Sequence, residues 1–309
     1  MKMKRQFPSD YLPIALTALT ILIGIWFIPG FDQLGMYSSI LTQAATTGIP
    51  ALGMLYVLIC GDIDLSIGAQ SAFYGMLCAY LTKILPLHTS GAIIATFAAA
   101  VLIGIFNGWL IDKRSLNPMI ATIATGVTLS GVTFTLGQGM PIFTVPALLE
   151  KIAALRIFGL SFSAILFGLM GIATAVLLYD TYWGKFLYAI GWNEPAAHRA
   201  GVPVRRTRML AYALCSLFCA VAAIVFIGRI GLASPTAGNS DVLDVLTITA
   251  LGGVGFSGGR GKVLPVVCAA LLLSALTSAF LALRVAYYYQ NIIKGAILFA
   301  AISTKFNKS

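Results

Sequence analysis

The chain has 309 residues, of which 59% are apolar and only 10% charged, with a mean hydropathy of +0.93. Soluble domains run at about half apolar and about a quarter charged, so an ordinary soluble protein is excluded, and so much apolar surface excludes a disordered chain. Twenty Lys and Arg against ten Asp and Glu leave a net charge of +10, an excess that would point to nucleic acid in a soluble protein but can simply report topology in a membrane protein.

Lys2, Lys4 and Arg5 open the chain, followed by an uncharged run from Tyr11 to Phe31. At 21 residues the run is longer than a signal-peptide core, and no small-x-small cleavage site precedes the next apolar run, so a retained helix is expected. Further uncharged runs cover Gln33 to Gly61, Leu65 to Thr82, Ile84 to Ile111, Ser115 to Leu149, Ile157 to Tyr179 and Met209 to Gly228. Two more fit Val245 to Phe256, which is short and broken, and Val263 to Leu283; the last runs from Val285 to about Thr304 around Lys294. Backbone polar groups in lipid must be bonded internally and period-2 alternation is absent, so the runs predict helices rather than barrel strands. The expected fold is all-α: one polytopic membrane domain over residues 1–309, with about ten transmembrane helices and a cytoplasmic loop at about 180–208.

With the N-terminus inside and ten crossings, 14 basic residues fall on cytoplasmic segments: Lys2, Lys4, Arg5, Lys113, Arg114, Lys185, Arg199, Arg205, Arg206, Arg208, Arg260, Lys262, Lys305 and Lys308. Lys83, Lys151, Arg156, Arg229 and Arg284 fall outside and Lys294 within the membrane. This bias predicts that both termini are cytoplasmic. Glycine and alanine spread through the spans predict closely packed helices. The five cysteines lie in apolar stretches without a C-x-x-C pair and read as small packing residues, and no metal site is supported.

Three segments carry more than hydrophobicity. Gly61-Asp62-Ile63-Asp64-Leu65-Ser66-Ile67-Gly68 places two carboxylates between apolar helices, which fits either a cap on the next helix or a place in a transport path. Gly252 to Lys262 contains a literal G-x-G-x-x-G at Gly253, Gly255 and Gly258, but no acidic residue follows it, and Val263 stands where a phosphate-binding loop needs Ser or Thr. It reads as a flexible break; aligning Ser66 with Ser257 also pairs Gly61 with Gly252 and Gly68 with Gly259, as in an internal repeat. The long hydrophilic stretch Asp180 to Arg208 holds Pro195, Ala196 and Ala197 and then Gly201, a short helix with its stop; it is either a basic loop that fixes orientation or a docking helix.

Together these segments resemble the permease subunits of bacterial ABC importers for ribose, xylose and related sugars. That family carries G-G-I-D-L-S-x-G, matched by GDIDLSIG here; N-G-x-L-I, matched by Asn107 to Asp112; and G-x-N-x-x-A-A-x-x-x-G, matched at Gly191, Asn193, Ala196, Ala197 and Gly201. Its L-S-G-G-x-G turn is matched from Ser257 to Gly261, and YYYQNIIKGAILF resembles its last span. The matches fall in order from about residue 36 to 300.

The resemblance implies a subunit of the bacterial inner membrane that is not itself an enzyme and carries no cofactor. ATP and Mg would be bound by separate ABC ATPase subunits, beneath a pathway formed with a second permease as homodimer or heterodimer. A periplasmic or lipid-anchored binding protein would deliver the solute, and nucleic acid is not a partner. Gly191, Asn193, Glu194, Ala196, Ala197 and Gly201 would couple to the ATPase, while Gly61, Gly68, Ser257, Gly258, Gly259 and Gly261 would form structural turns. Asp64, Ser66, Gln70 and Asn107 are candidates for the solute path, with Phe73 and Tyr74 placed either to stack on a sugar ring or to pack in the core. Asp62 departs from the family, which usually has Gly there. Relatives carrying a furanone quorum signal, a polyol or a nucleoside remain open for the substrate. A secondary transporter or channel working without an ATPase is the alternative from another class.

Overall fold

The computed structural model describes residues 12–28, 30–114, 116–143, 145–157, 159–238 and 241–306. The basic residues Lys2, Lys4, Arg5 and Lys308, on which part of the orientation argument rests, lie outside them. In chain order the helices are α1 (Leu12–Phe27), α2 (Leu34–Cys60), α3 (Ile67–Lys83), α4 (Thr89–Arg114), α5 (Pro118–Leu136), α6 (Ala147–Ala154), α7 (Phe162–Tyr179), α8 (Tyr182–Trp192), α9 (Glu194–Arg199), α10 (Val204–Ile230), α11 (Asp241–Leu251), α12 (Val263–Ala282) and α13 (Tyr287–Phe306). Four two-residue strands join them: β1 (Ile142–Phe143), β2 (Arg156–Ile157), β3 (Leu160–Ser161) and β4 (Leu232–Ala233).

Six of these helices, α2, α4, α5, α7, α10 and α12, are long and apolar enough to cross a membrane, which makes the chain a multi-pass membrane protein. The 27 residues of α2 and of α10 extend about 40 Å, more than the roughly 30 Å of a bilayer's hydrocarbon core. By contrast the 11 residues of α11 reach only about 17 Å, so the short, broken run at Val245 to Phe256 is a half-length helix followed by a turn. The run Ser115 to Leu149 is not one helix. It stops at Leu136, where Gln138 and Gly139 take positive φ values of 51° and 80° and the Gly139 amide bonds the Phe134 carbonyl. The strands are a small departure from an all-α chain: β1 pairs antiparallel with β4 and β2 with β3, which bonds loop amides that helices do not reach.

The centre of the bundle is α2, which is buried without a break from Thr47 to Cys60. It packs on α10, α12, α7 and α11; α4 and α3 cover the other side of α10, α5 lies on α3, α1 on α12, and α13 on α11. Gly104 and Gly108 on α4, spaced as G-x-x-x-G, let its backbone touch α10: a Cβ at Gly104 would collide with the Tyr212 carbonyl and one at Gly108 would lie 2.6 Å from the Met209 Cα. Lipid is as apolar as leucine, so such close van der Waals contact replaces hydrophobic burial as the force between helices. Tyr56 anchors the middle against Trp183 and Phe218, with ring centroids 5.3 and 5.8 Å apart. Cys60, Cys78, Cys215 and Cys219 are buried and unpaired, as their apolar settings predict.

Candidate functional site

The three distinctive segments meet at one end of the bundle. Helix α2 ends in a Schellman cap: Gly61 takes φ 97°, its amide bonds Leu58 and the Asp62 amide bonds Val57. The α11 helix closes in the same way one residue later than the proposed repeat, with Gly253 at φ 78° and the amides of Gly253 and Val254 on Ala250 and Thr249. The structural equivalent of Gly61 is therefore Gly253 rather than Gly252. The turn after α11 folds back so that the Gly259 amide donates to the Ile59 carbonyl at 2.9 Å. Gly258 lies against the backbones of Gly61 and Gly191, and any side chain at Gly191 would strike the Ile59 carbonyl and the Gly259 amide. Tyr188 donates to the Gly261 carbonyl at 2.7 Å, Tyr179 accepts from the Val263 amide at 3.0 Å, and the Arg260 guanidinium sits 5.8 Å from the Trp192 ring. Glycines are needed here because three backbones pass within contact of one another.

The short helix expected around Pro195 is present as α9. Asn193 caps it, its Oδ1 accepting from the Ala196 amide at 2.9 Å, with Pro195 in the first turn. Gly201 at φ 81° stops it, and the Val202 amide returns to the Ala197 carbonyl. Ala197 is buried against the bundle, while Pro195, Ala196, His198 and Arg199 face outward. This leaves one face open that carries Arg199 and His198 beside the small Pro195 and Ala196. Glu194, exposed as well, is the member of this face that bonds back to the bundle. Its Oε2 and Oε1 accept from Nη2 and Nη1 of Arg208 at 2.7 and 3.3 Å. The same guanidinium donates from Nε to Asp62 Oδ2 at 2.9 Å and from Nη1 to Asp112 Oδ1 at 3.3 Å. Burial pushes the Asp62 carboxyl up to about 6, with the nearby Glu194 and Asp112 carboxylates adding to the rise and Arg208 opposing it.

The candidate path residues form a second, fully enclosed network. Asp64 Oδ1 accepts from the Ser66 amide at 2.9 Å and the Ser66 hydroxyl at 2.5 Å, and its Oδ2 accepts from Gln70 Nε2 at 3.1 Å. Gln70 Nε2 also reaches Ser66 Oγ at 2.6 Å, Asn107 Nδ2 reaches it at 3.4 Å, and Thr125 donates to Asn107 Oδ1 at 2.7 Å. Tyr74 extends the chain to Gln70 at 3.3 Å and to Ser216 at 2.5 Å, with Phe73 edge-on to the Tyr74 ring. Asp64, Ser66, Gln70, Asn107 and Tyr74 are all inaccessible to solvent. Ser66 stands at the N-cap of α3 without its side chain bonding a helix amide, because its hydroxyl is committed to Asp64; the capping function expected of this segment is replaced by a side-chain network. Gly68 is pressed against the Gly238 carbonyl, which brings the loop before α11 onto the start of α3.

Sequence reasoning missed Arg208, Asp112, Thr125 and Ser216. The one available signal was the unusual Asp62, a carboxylate that needs a cation if it is to be buried. It also left Lys294 alone in the membrane, whereas Lys294 Nζ lies 2.9 Å from Asp244 Oδ2.

The chain matches the family described as branched-chain amino acid transport system / permease component over residues 36–302. It is similar to the ribose import permease protein RbsC of Escherichia coli (strain K12), 31% identical over 294 residues covering 93% of this chain and 91% of the relative. The RbsC protein of Bacillus subtilis (strain 168) is 33% identical over 303 residues, covering 96% and 92%. The xylose transport system permease protein XylH of Haemophilus influenzae is 28% identical over 326 residues, covering 86% and 87%. No solved structure matches the chain.

Proposed function

Because the chain belongs to the family of branched-chain amino acid transport system permease components, we propose that it is the transmembrane subunit of an ATP-driven importer for a sugar or sugar-like polar solute, of the ribose and xylose type. The observation that carries this reading is the α8–α9 loop. A capped helix with an exposed outer face is clasped to the inner ends of α2 and of the α11 turn, which is what a docking element for a cytoplasmic motor requires. The ATPase is a separate subunit, the membrane is the bacterial inner membrane, and a second permease and a solute-binding protein complete the assembly. Transport is by alternating access, with no covalent chemistry in this chain.

The enclosed Asp64, Ser66, Gln70 and Asn107 network belongs, in this proposal, to the solute path in its shut state. Its hydroxyl, amide and carboxylate groups suit a polyhydroxylated solute, and α3, α4 and α5 would have to part to expose them. The deciding experiment is uptake of radiolabelled d-ribose and d-xylose into proteoliposomes containing the chain with its copurifying ATPase and supplied with its solute-binding protein. ATP-dependent accumulation of either sugar supports the proposal, and uptake by the chain alone would overturn it in favour of a secondary transporter. That second reading draws on the Lys294–Asp244 pair, since ion-coupled carriers place ionisable groups inside the membrane.

A further inference from the structure

Among the described residues, Arg208 is the one cation that ties together three carboxylates from three separate places in the chain: Asp62 in the α2–α3 connection, Asp112 near the end of α4, and Glu194 at the start of α9. Arg208 and Asp62 side chains are each 7% exposed, Asp112 20% and Glu194 47%. Removing a charge from water costs several kcal/mol unless it is paired, so the guanidinium is what allows Asp62 to be enclosed. It also holds the half-exposed Glu194 carboxylate by two bonds at the start of α9. Arg205 adds only a loose 3.9 Å contact to Asp112 from an exposed position.

The node sits between two things the transporter must connect. On one side, Glu194 opens α9 immediately before Pro195, so holding its carboxylate by two parallel bonds fixes the direction of that helix. On the other side, Asp62 lies two residues before Asp64, the anion at the centre of the buried network. The glycine contacts of Gly191, Gly258 and Gly61 alongside are mostly backbone van der Waals contacts, which can slide; a bidentate ion pair resists both sliding and twisting.

We propose that Arg208 is the positioning residue through which displacement of α9 is passed to the α2–α3 connection and the Asp64 network, with Asp112 anchoring it to α4. This inference rests on the importer reading for the source of the displacement. Lysine cannot replace Arg208, because a point charge cannot hold three carboxylates in a fixed fork.

The test uses the full chain in two arms. In proteoliposomes with the copurifying ATPase and the solute-binding protein, ATP hydrolysed per radiolabelled d-ribose taken up is measured for wild type, Arg208→Lys, Glu194→Gln and Glu194→Asp. In the chain alone, a cysteine placed at Ala197 in a Cys268→Ser background is labelled with a membrane-impermeant maleimide. Arg208→Lys and Glu194→Gln are expected to raise the ATP-to-ribose ratio by about fivefold or more, the low end of an ordinary coupling free energy. They should speed labelling at position 197 by about tenfold, equivalent to about 1.4 kcal/mol less resistance to local opening. Glu194→Asp, which keeps the charge, is expected to stay within about twofold of wild type in both arms. If uptake and hydrolysis fall together at constant ratio, the residues act on folding alone and the proposal is overturned. Unchanged labelling at position 197 overturns it as well. Wild-type vesicles without ATP-dependent uptake would instead count against the importer reading, and the labelling arm would still decide whether Arg208 holds α9.

Discussion

Lys294 of α13 donates to Asp244 of α11 across 2.9 Å, with both side chains nearly buried at 12% and 10% exposure. Helix α13 packs chiefly on α11, so this ion pair is a principal fastening of the last helix. Removing one member of a buried pair costs about 3–5 kcal/mol, whereas replacing both by apolar groups can be neutral. Lys294→Met is therefore expected to lower the thermal midpoint of the detergent-solubilised chain by several degrees. Lys294→Met with Asp244→Leu should recover most of the loss, and equal destabilisation by the single and double variants would show that the pair is not what holds α13.

Replacing Ala197, which faces the bundle from the middle of α9, by arginine should lift the helix from its seat. Uptake of d-ribose is expected to be lost and the ATPase no longer to copurify, while membrane insertion, read by a reporter fusion, is unchanged. Gly191→Val should have the same phenotype, since its side chain cannot share space with the Ile59 carbonyl.

The Asp64 network separates structural from solute-binding roles. Asp64→Leu removes the acceptor of the Ser66 amide, of the Ser66 hydroxyl and of one Gln70 N–H, each at about 1–3 kcal/mol, and should abolish accumulation of folded protein. Asn107→Ala removes one long bond to Ser66 and the acceptor for Thr125, and is expected to keep the fold but raise the KM for ribose at least severalfold. An unchanged KM in a stable Asn107→Ala protein would remove Asn107 from the path.

Asp62 makes a signed pH prediction. Its carboxyl lies at about 6 in the folded chain against an ordinary 3.8. The folded state thus binds the proton more tightly than the unfolded one, so this group favours folding fully below 3.8, and its contribution is lost as pH rises to about 6. Asp62→Asn should flatten the stability of the solubilised chain over that window relative to wild type. A wild-type profile that instead rises across the same window through Asp62 would contradict the assignment.

A phosphatase fused after Ser309 is expected to be inactive in whole cells, and one placed in the Leu85–His88 connection active, if the bias of basic residues sets orientation as proposed.

The amino-acid sequence by itself determined the membrane as solvent, the helical class, the limits of most long helices to within a few residues, and the short capped helix at 194–199. Each of these follows from local causes: uncharged runs, proline and glycine punctuation, and side chains that bond their own neighbours. The same local logic was legible in Gly61, whose freedom at positive φ closes α2, whereas the internal-repeat alignment pointed to Gly252 and the structure closes α11 at Gly253. Tertiary structure alone decided that Arg208, 146 positions from Asp62, neutralises it, that Ser66 serves Asp64 rather than a helix amide, and that Lys294 is paired with Asp244. Those choices depend on which buried charge finds which partner when helices distant in sequence come together. A carboxylate announces that it needs a cation, but only packing says which one reaches it.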